Sequence, residues 1–265
     1  MTKRRPDPLP WIYRWRTNLV QTPLFAVITA VFGSLALLVS LVDKKGNVQH
    51  RIARVWARGC VWASGAKLTV RGAENLRKHP GCVLAANHTS YMDTPVVFAS
   101  LPVQFRILAK KELWPIPFIG WYLNRSGQIP IDTANPRATL SSLGAGARAL
   151  RSGMPVFVFP EGGRTADGEL RPFLSGAAYL AIRAQVPLVP IALSGVYDLL
   201  PIHTHHFFPV QLTLAVGEPI VTTGMNLRQT EELTARLRAT IDKLRQPQGK
   251  RPAAEVEMGT VGTEV

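Results

Sequence analysis

Residues 24–42, LFAVITAVFGSLALLVSLV, run nineteen positions without a charged side chain. Wound as an α-helix they span roughly 28 Å, close to the hydrocarbon thickness of a bilayer. A helix that is apolar all round has no face to give to water, so it belongs inside a core or in lipid. Charge favours lipid: residues 1–60 hold ten Lys or Arg against two acids and carry +8 of the chain's net +14. A basic segment alone fits nucleic acid, an anionic membrane surface or a small polyanion; beside an apolar helix it fits the membrane. A cleaved leader is the competing reading. The run is long for one, and it ends at Asp43, Lys44 and Lys45 with no small-residue cleavage pattern.

Five Lys or Arg precede the run and five follow it closely, so the positive-inside rule returns a tie. A segment that dips into one leaflet and returns satisfies both flanks, and a single spanning helix remains the alternative. The next stretch sets Ile52, Val55, Trp56, Gly59, Cys60 and Ala63 at helical spacing, with Arg51, Arg54 and Arg58 on another side, the pattern of an interfacial helix. Residues 1–64 are therefore expected to form a basic, membrane-anchoring two-helix segment turning at DKKGN. Two cysteines, Cys60 and Cys82, make neither a CxxC pair nor a disulfide framework, which suits a reducing compartment.

After Gly65 short apolar runs alternate with helical stretches. KLTV, CVLAA, QFRILA, GQIPI, PVFVF, VPLVPIAL and QLTLAV read as strands. Helices are expected near 91–100, 136–152, 175–185 and 229–245. The order predicts an α/β domain over residues 65–245 with a mixed, largely parallel sheet flanked by helices. Residues 246–265 lack periodicity and large apolar side chains and read as a disordered tail.

In such sheets function gathers at the carboxyl ends of strands. CVLAA leads into NHTSYMD, QFRILA into Lys110-Lys111-Glu112, and PVFVFP into Glu161-Gly162-Gly163-Arg164-Thr165. His88 and Asp93 are five apart, too far round one helix to meet. They meet if His88 leaves the strand and Asp93 opens the helix, where a carboxylate would fix the imidazole tautomer and make a general base. The same residues fit a helix cap, Ser90-x-x-Asp93. With no GxSxG elbow and no cysteine beside a histidine, the base has no enzyme nucleophile to serve, and a substrate hydroxyl is its natural target. In the third segment glycines permit close backbone approach and Arg164 offers a planar fork for phosphate, with Glu161 orienting it or bonding an acceptor hydroxyl. A surface turn with a local ion pair is the bland alternative. Lys110, Lys111 and Arg125 add possible cationic contacts. The triplet His203, His205 and His206 lacks an acidic partner, so no metal is expected. The GxGxxA stretch at Gly144 follows a helical rather than a strand pattern and reads as helix packing, not a dinucleotide loop.

NHTSYMD, the stretch 110–132 (KKELWPIPFIGWYLNRSGQIPID), FPEGGRT and VPLVPIA occur in the order found in the glycerolipid acyltransferases. Over about residues 65–222 the chain resembles the bacterial 1-acylglycerol-3-phosphate members of that family. The resemblance implies His88 as base and Asp93 as its partner in an NHx4D motif. Glu161, Gly162, Gly163 and Arg164 would lie in the acceptor-phosphate motif, and Gly120 to Arg125 in a second acceptor motif; Thr165, which keeps a hydroxyl, and Lys110, by its charge, complete the expected substrate contacts. It also implies acyl-CoA or acyl-carrier protein as co-substrate with no resident cofactor, and lysophosphatidate and the bilayer as partners. Nucleic acid would have no part. The cytoplasmic membrane would be the location, with the catalytic domain on the cytoplasmic side. Gly163 and Thr165 stand where Thr and Ser are commoner, the lysine usual after Phe173 is absent, and Thr133 replaces a common Arg. These departures bear on the acceptor headgroup: glycerol-3-phosphate, a lyso-ornithine lipid or another lysophospholipid are the alternatives, ahead of a non-catalytic lipid-phosphate module.

Overall fold

The computed structural model describes residues 11–43, 46–76, 81–202 and 204–245. The expected tail, Lys44, Lys45, His79 and His203 lie outside the described residues. Seven strands form one sheet: β1 (Lys67–Arg71), β2 (Val83–Ala86), β3 (Arg106–Lys110), β4 (Ile129–Ile131), β5 (Val156–Val158), β6 (Leu188–Ser194) and β7 (Gln211–Val216), in the order β1-β7-β6-β2-β5-β3-β4. Every pairing is parallel except β6 with β7. The sheet is mixed and mostly parallel, as the sequence predicts.

Both faces are covered, which explains the continuous apolar runs. Along β2, Leu84 and Ala86 enter one core with Phe105, Phe157 and Ile191, while Val83 and Ala85 enter the other with Val156, Leu180 and Leu237. The first face is roofed by α3 (Asn47–Ser64) and α4 (Asp93–Ser100). The second is roofed by α6 (Pro136–Arg151), α7 (Gly176–Ala184) and α9 (Thr230–Leu244). Two short helices, α5 (Ile119–Arg125) and α8 (Val196–Leu199), follow β3 and β6. Local chemistry sets the boundaries. Asn135 caps α6 through its Oδ1, which accepts from Arg137 N and Ala138 N, with Pro136 at the first helical position. Gly146, in the GxGxxA stretch, lies in α6, where a Cβ would come within 3.1 Å of Leu180, so close packing onto α7 accounts for it.

The N-terminal helix is longer than its uncharged part. Helix α1 (Trp11–Trp15) runs through π-type turns at Arg16–Gln21 into α2 (Thr22–Val39). Only 6% of its most apolar window is buried. Both ends are tied to the sheet domain. Near the start, Arg16 donates to the Phe207 carbonyl and Thr17 Oγ1 accepts from Phe207 N, while Phe25 stacks on Phe207 at 4.8 Å. Just past the end, Arg125 of α5 donates to Ser40 Oγ at 3.3 Å. Helix α3 returns alongside, its start capped by Asp43, whose carboxylate accepts from the N–H groups of Asn47, Val48 and Gln49. The stripe that reads as interfacial divides differently in three dimensions. Trp56 and Gly59 meet Thr29 and Ile28 of α2, while Ala53, Ala57, Cys60 and Val61 enter the sheet core.

His50 sits in that α3 layer, buried against Phe98 and Phe105. Loss of hydration, then the charges of Arg54 and Arg106, push its pKa down to about 4. Between about 4 and the ordinary 6.5 the unfolded chain binds the extra proton, so this residue's contribution to stability is full above 6.5 and is lost as pH falls toward 4. The full effect is about 3 kcal/mol. Chemical denaturation of wild type and His50→Leu across this range is expected to show the variant gaining on the wild type as the solution is acidified. A constant difference would remove His50 from the acid response.

Candidate active site

Strands β2, β5 and β3 are neighbours and parallel, so their carboxyl ends open on one side of the sheet. A cavity of about 960 Å³ lies there. His88, Lys110, Gly162, Gly163 and Arg164 line it; Asp93, Glu161 and Thr165 support the wall from behind, and Gly120 and Arg125 lie outside the lining. The crevice expected from three strand ends thus collects five of the ten candidate side chains and backbones directly.

His88 leaves β2 and Asp93 opens α4, the arrangement under which the pair can meet. Asp93 Oδ2 is 2.8 Å from His88 Nδ1, and it also accepts from the N–H groups of Thr89 (2.6 Å) and Ser90 (2.8 Å). One oxygen therefore holds the imidazole and the backbone of the loop that carries it, while the N-cap position of α4, Met92, has no side-chain cap bond, so the Ser90-x-x-Asp93 capping box does not form. Asp93 is fully buried and His88 is 15% exposed, so the ring alone faces the cavity. The far ring face stacks on Phe159, centroids 3.9 Å apart and planes 14° from parallel. With Nδ1 donating to the carboxylate, Nε2 is left as the proton acceptor.

Glu161 has a different role from the two anticipated for it. Its Oε1 accepts from His88 N at 2.7 Å and its Oε2 from Arg171 N at 3.1 Å, so it neither orients Arg164 nor faces the cavity. It clamps the backbone of the histidine loop to the segment leading into α7. Burial pushes its carboxyl up to about 7, against the lowering pull of those two N–H groups. Between 4.5 and 7 this opposes His50 in the pH dependence of stability, which is why the His50 effect is read from a variant. Thr165 donates its N–H to the His88 carbonyl and is itself buried. Gly162 turns the chain at φ +68°, where a Cβ would also approach Leu174 to 2.9 Å.

Arg164 lies with its guanidinium 3.8 Å from the ring centroid of Tyr91, a cation–π stack that leaves the edge of the fork open to a ligand. Lys110 reaches over the adjacent glycine: a Cβ on Gly163 would lie 3.9 Å from its Nζ. Lys111 instead pairs with Asp132 at 2.6 Å. Gly120 is required by packing, since a Cβ there would fall on the Trp114 carbonyl. Arg125 bridges to Ser40, and its carbonyl accepts from Gln49. Besides these polar groups the cavity is walled by Ile107, Leu108, Leu143, Val158 and Ala177.

Tyr91 and Phe159 were not singled out as site residues. Tyr91 stands inside NHTSYMD, and Phe159 reads as one more apolar strand residue; no spacing signals either stack. Among the described residues no cluster of His, Cys, Asp and Glu is suited to a metal ion.

The model of the Acyltransferase family matches residues 67–194. The chain is 35% identical over 165 residues to the chloroplastic 1-acyl-sn-glycerol-3-phosphate acyltransferase BAT2 of Brassica napus, covering 62% of this chain and 47% of that one. It is 28% identical to a 1-acyl-sn-glycerol-3-phosphate acyltransferase of Pseudomonas aeruginosa, covering 84% of this chain and 90% of that one. It spans about half the length of the plant relatives it matches. The crystal structure of the 1-acyl-sn-glycerophosphate acyltransferase PlsC from Thermotoga maritima superposes with a TM-score of 0.73 at 25% identity, over 87% of this chain and 95% of that one. The family match begins with β1 and ends with β6, so the part of this chain that is similar to the acyltransferases holds every cavity residue named above.

Proposed function

We propose that the chain moves a fatty acyl group from acyl-CoA or acyl-carrier protein to the sn-2 hydroxyl of 1-acyl-glycerol-3-phosphate, forming phosphatidate. The observation that carries the reading is a carboxylate-held imidazole and a guanidinium–lysine pair lining one cavity. The activities named for the relatives support it. His88 Nε2 takes the proton as the acceptor oxygen attacks the thioester carbonyl. The tetrahedral intermediate collapses, the C–S bond breaks, and the imidazolium returns the proton to the leaving thiolate. Asp93 stabilises the cation in between. No acyl-enzyme forms and no metal or organic cofactor takes part. Arg164 and Lys110 hold the acceptor phosphate, and the apolar wall takes hydrocarbon.

The N-terminal helix attaches the enzyme to the cytoplasmic membrane, with the α/β domain on the cytoplasmic side. Its contacts favour lying in one leaflet over crossing, because both of its ends touch the same domain. The basic N-terminal residues suit anionic lipid.

Incubation of the purified protein with lysophosphatidate and labelled acyl-CoA, followed by identification of the lipid formed, tests the reading. Phosphatidate is expected, and its absence while another acceptor is acylated would reassign the substrate. Arg164→Ala is expected to raise KM for the phosphate-bearing acceptor about 10–100-fold, the worth of one charged hydrogen-bonded contact, with kcat little changed. An unaltered KM would take Arg164 out of the phosphate site. Gly163, which offers no hydroxyl beside Lys110, favours a second reading in which a different phosphate-bearing acceptor is preferred. Competition between acceptors separates the two.

A further inference from the structure

From Leu113 to Asn124 the chain carries no charge, and five large apolar side chains there face solvent: Leu113, Ile116, Phe118, Ile119 and Trp121. Phe118 is 62% exposed, and its backbone adopts φ +62°, a region that bulky residues avoid. A fold that holds an aromatic residue in a disfavoured conformation only to leave its ring in water is unusual, and such outliers mark functional segments. The patch is not isolated. It adjoins the end of α2 through the Arg125–Ser40 bond, and there Leu38, Leu41 and Val42 are equally exposed. On its other side it reaches the cavity mouth, where Leu113 lines the opening together with the exposed Leu140 and Leu174.

We infer that the segment 113–121 is a second membrane-inserting element. Its exposed rings share the bilayer interface with α2, so that the cavity mouth opens into the headgroup and upper acyl region rather than into water. The occupant is the lipid bilayer. Continuity with the apolar helix argues for it, as does the composition: Trp and Phe set among aliphatics, with Arg125 just beyond, is the makeup of an interfacial anchor. The inference rests on the membrane attachment proposed above and extends it, because a lipid acceptor would then slide from the leaflet into the cavity without leaving an apolar phase.

The test uses the full chain in vesicles of phosphatidylethanolamine and phosphatidylglycerol. Cys60 and Cys82 are buried, and burial pushes both thiols up to about 12, so a cysteine introduced on the surface is the reactive one. Ile119→Cys, labelled with an environment-sensitive fluorophore, is expected to shift its emission to the blue on reconstitution. Lipid-borne nitroxide should quench it and aqueous iodide should not. Glu232→Cys, on the exposed side of α9, is the control and should behave in the opposite way. Iodide quenching of residue 119 equal to the control would overturn the inference. So would shielding that follows protein concentration without lipid, which would make the occupant a second copy of the chain. Glycine accepts the Phe118 backbone, so Phe118→Gly combined with Ile119→Ser removes the apolar groups without adding strain. This double variant is expected to lose about tenfold in kcat/KM on a vesicle-borne long-chain acceptor, with less than a twofold change on a short-chain acceptor dispersed as monomer. Equal losses on both, or none on either, would also overturn it. A wild-type protein inactive on every acceptor would defeat the proposed reaction and leave the fluorescence result readable.

Discussion

Alanine at His88 is expected to lower kcat for acyl transfer by about 10²–10⁴-fold, the range spanned by loss of a positioned general base. Among the described residues the cavity presents no other histidine, and its cations are Lys110 and Arg164, neither of which is a base at neutral pH. The fold has little reason to respond. The loop is held through backbone groups, His88 N to Glu161 and the His88 carbonyl to Thr165 N, and these survive removal of the ring. Single-turnover transfer from labelled acyl-CoA gives the rate, and vesicle sedimentation and thermal unfolding give the controls. A variant that transfers at the wild-type rate would eliminate the imidazole from the chemistry. One that fails to fold would show that the Phe159 stack is a structural support.

Asn at position 93 is expected to cost about 100-fold or more in kcat and only about 1 kcal/mol in stability. The substitution keeps the size of a side chain with no solvent exposure and an oxygen able to accept from Thr89 N and Ser90 N, so the 88–93 loop largely persists. What it loses is the charge that steadies an imidazolium and the acceptor that keeps the proton on Nδ1. The amide can present its NH2 to the ring instead, leaving the proton on Nε2, the nitrogen that must be free. Comparing kcat with the unfolding midpoint separates the two duties of this carboxylate. Lost stability at an intact rate would reduce Asp93 to a tie for its loop.

Much of the fold is legible because its sheet is buried on both faces, so β2, β5 and β6 appear as bare apolar runs too short to be mistaken for the apolar helix α2. The long helices α6 and α9 show the 3.6-residue rhythm with polar flanks. Helix α5 was invisible for the opposite reason: Pro115 and Pro117 precede it, and its first turn follows a residue at positive φ. The N-terminal helix reaches back to Trp11 because Arg16, Thr17 and Gln21 find partners in the 204–208 segment and at the end of α3, contacts no local pattern announces. At the site, the meeting of His88 with Asp93 and the arrival of Arg164 at the same crevice are legible from residue type and position at a strand end. Proximity in sequence suggests an ion pair between Glu161 and Arg164, which the structure does not form. The turn at Gly162 sends the guanidinium toward Tyr91 and the carboxylate toward the histidine loop.

If α2 lies in the bilayer as proposed, an enzyme fastened to both ends of that helix does not diffuse away between turnovers; it patrols a surface. Its substrate supply is then a mole fraction, not a molarity. Diluting the acceptor with inert lipid starves it, whereas adding more bilayer of the same composition leaves each bound molecule as well fed as before.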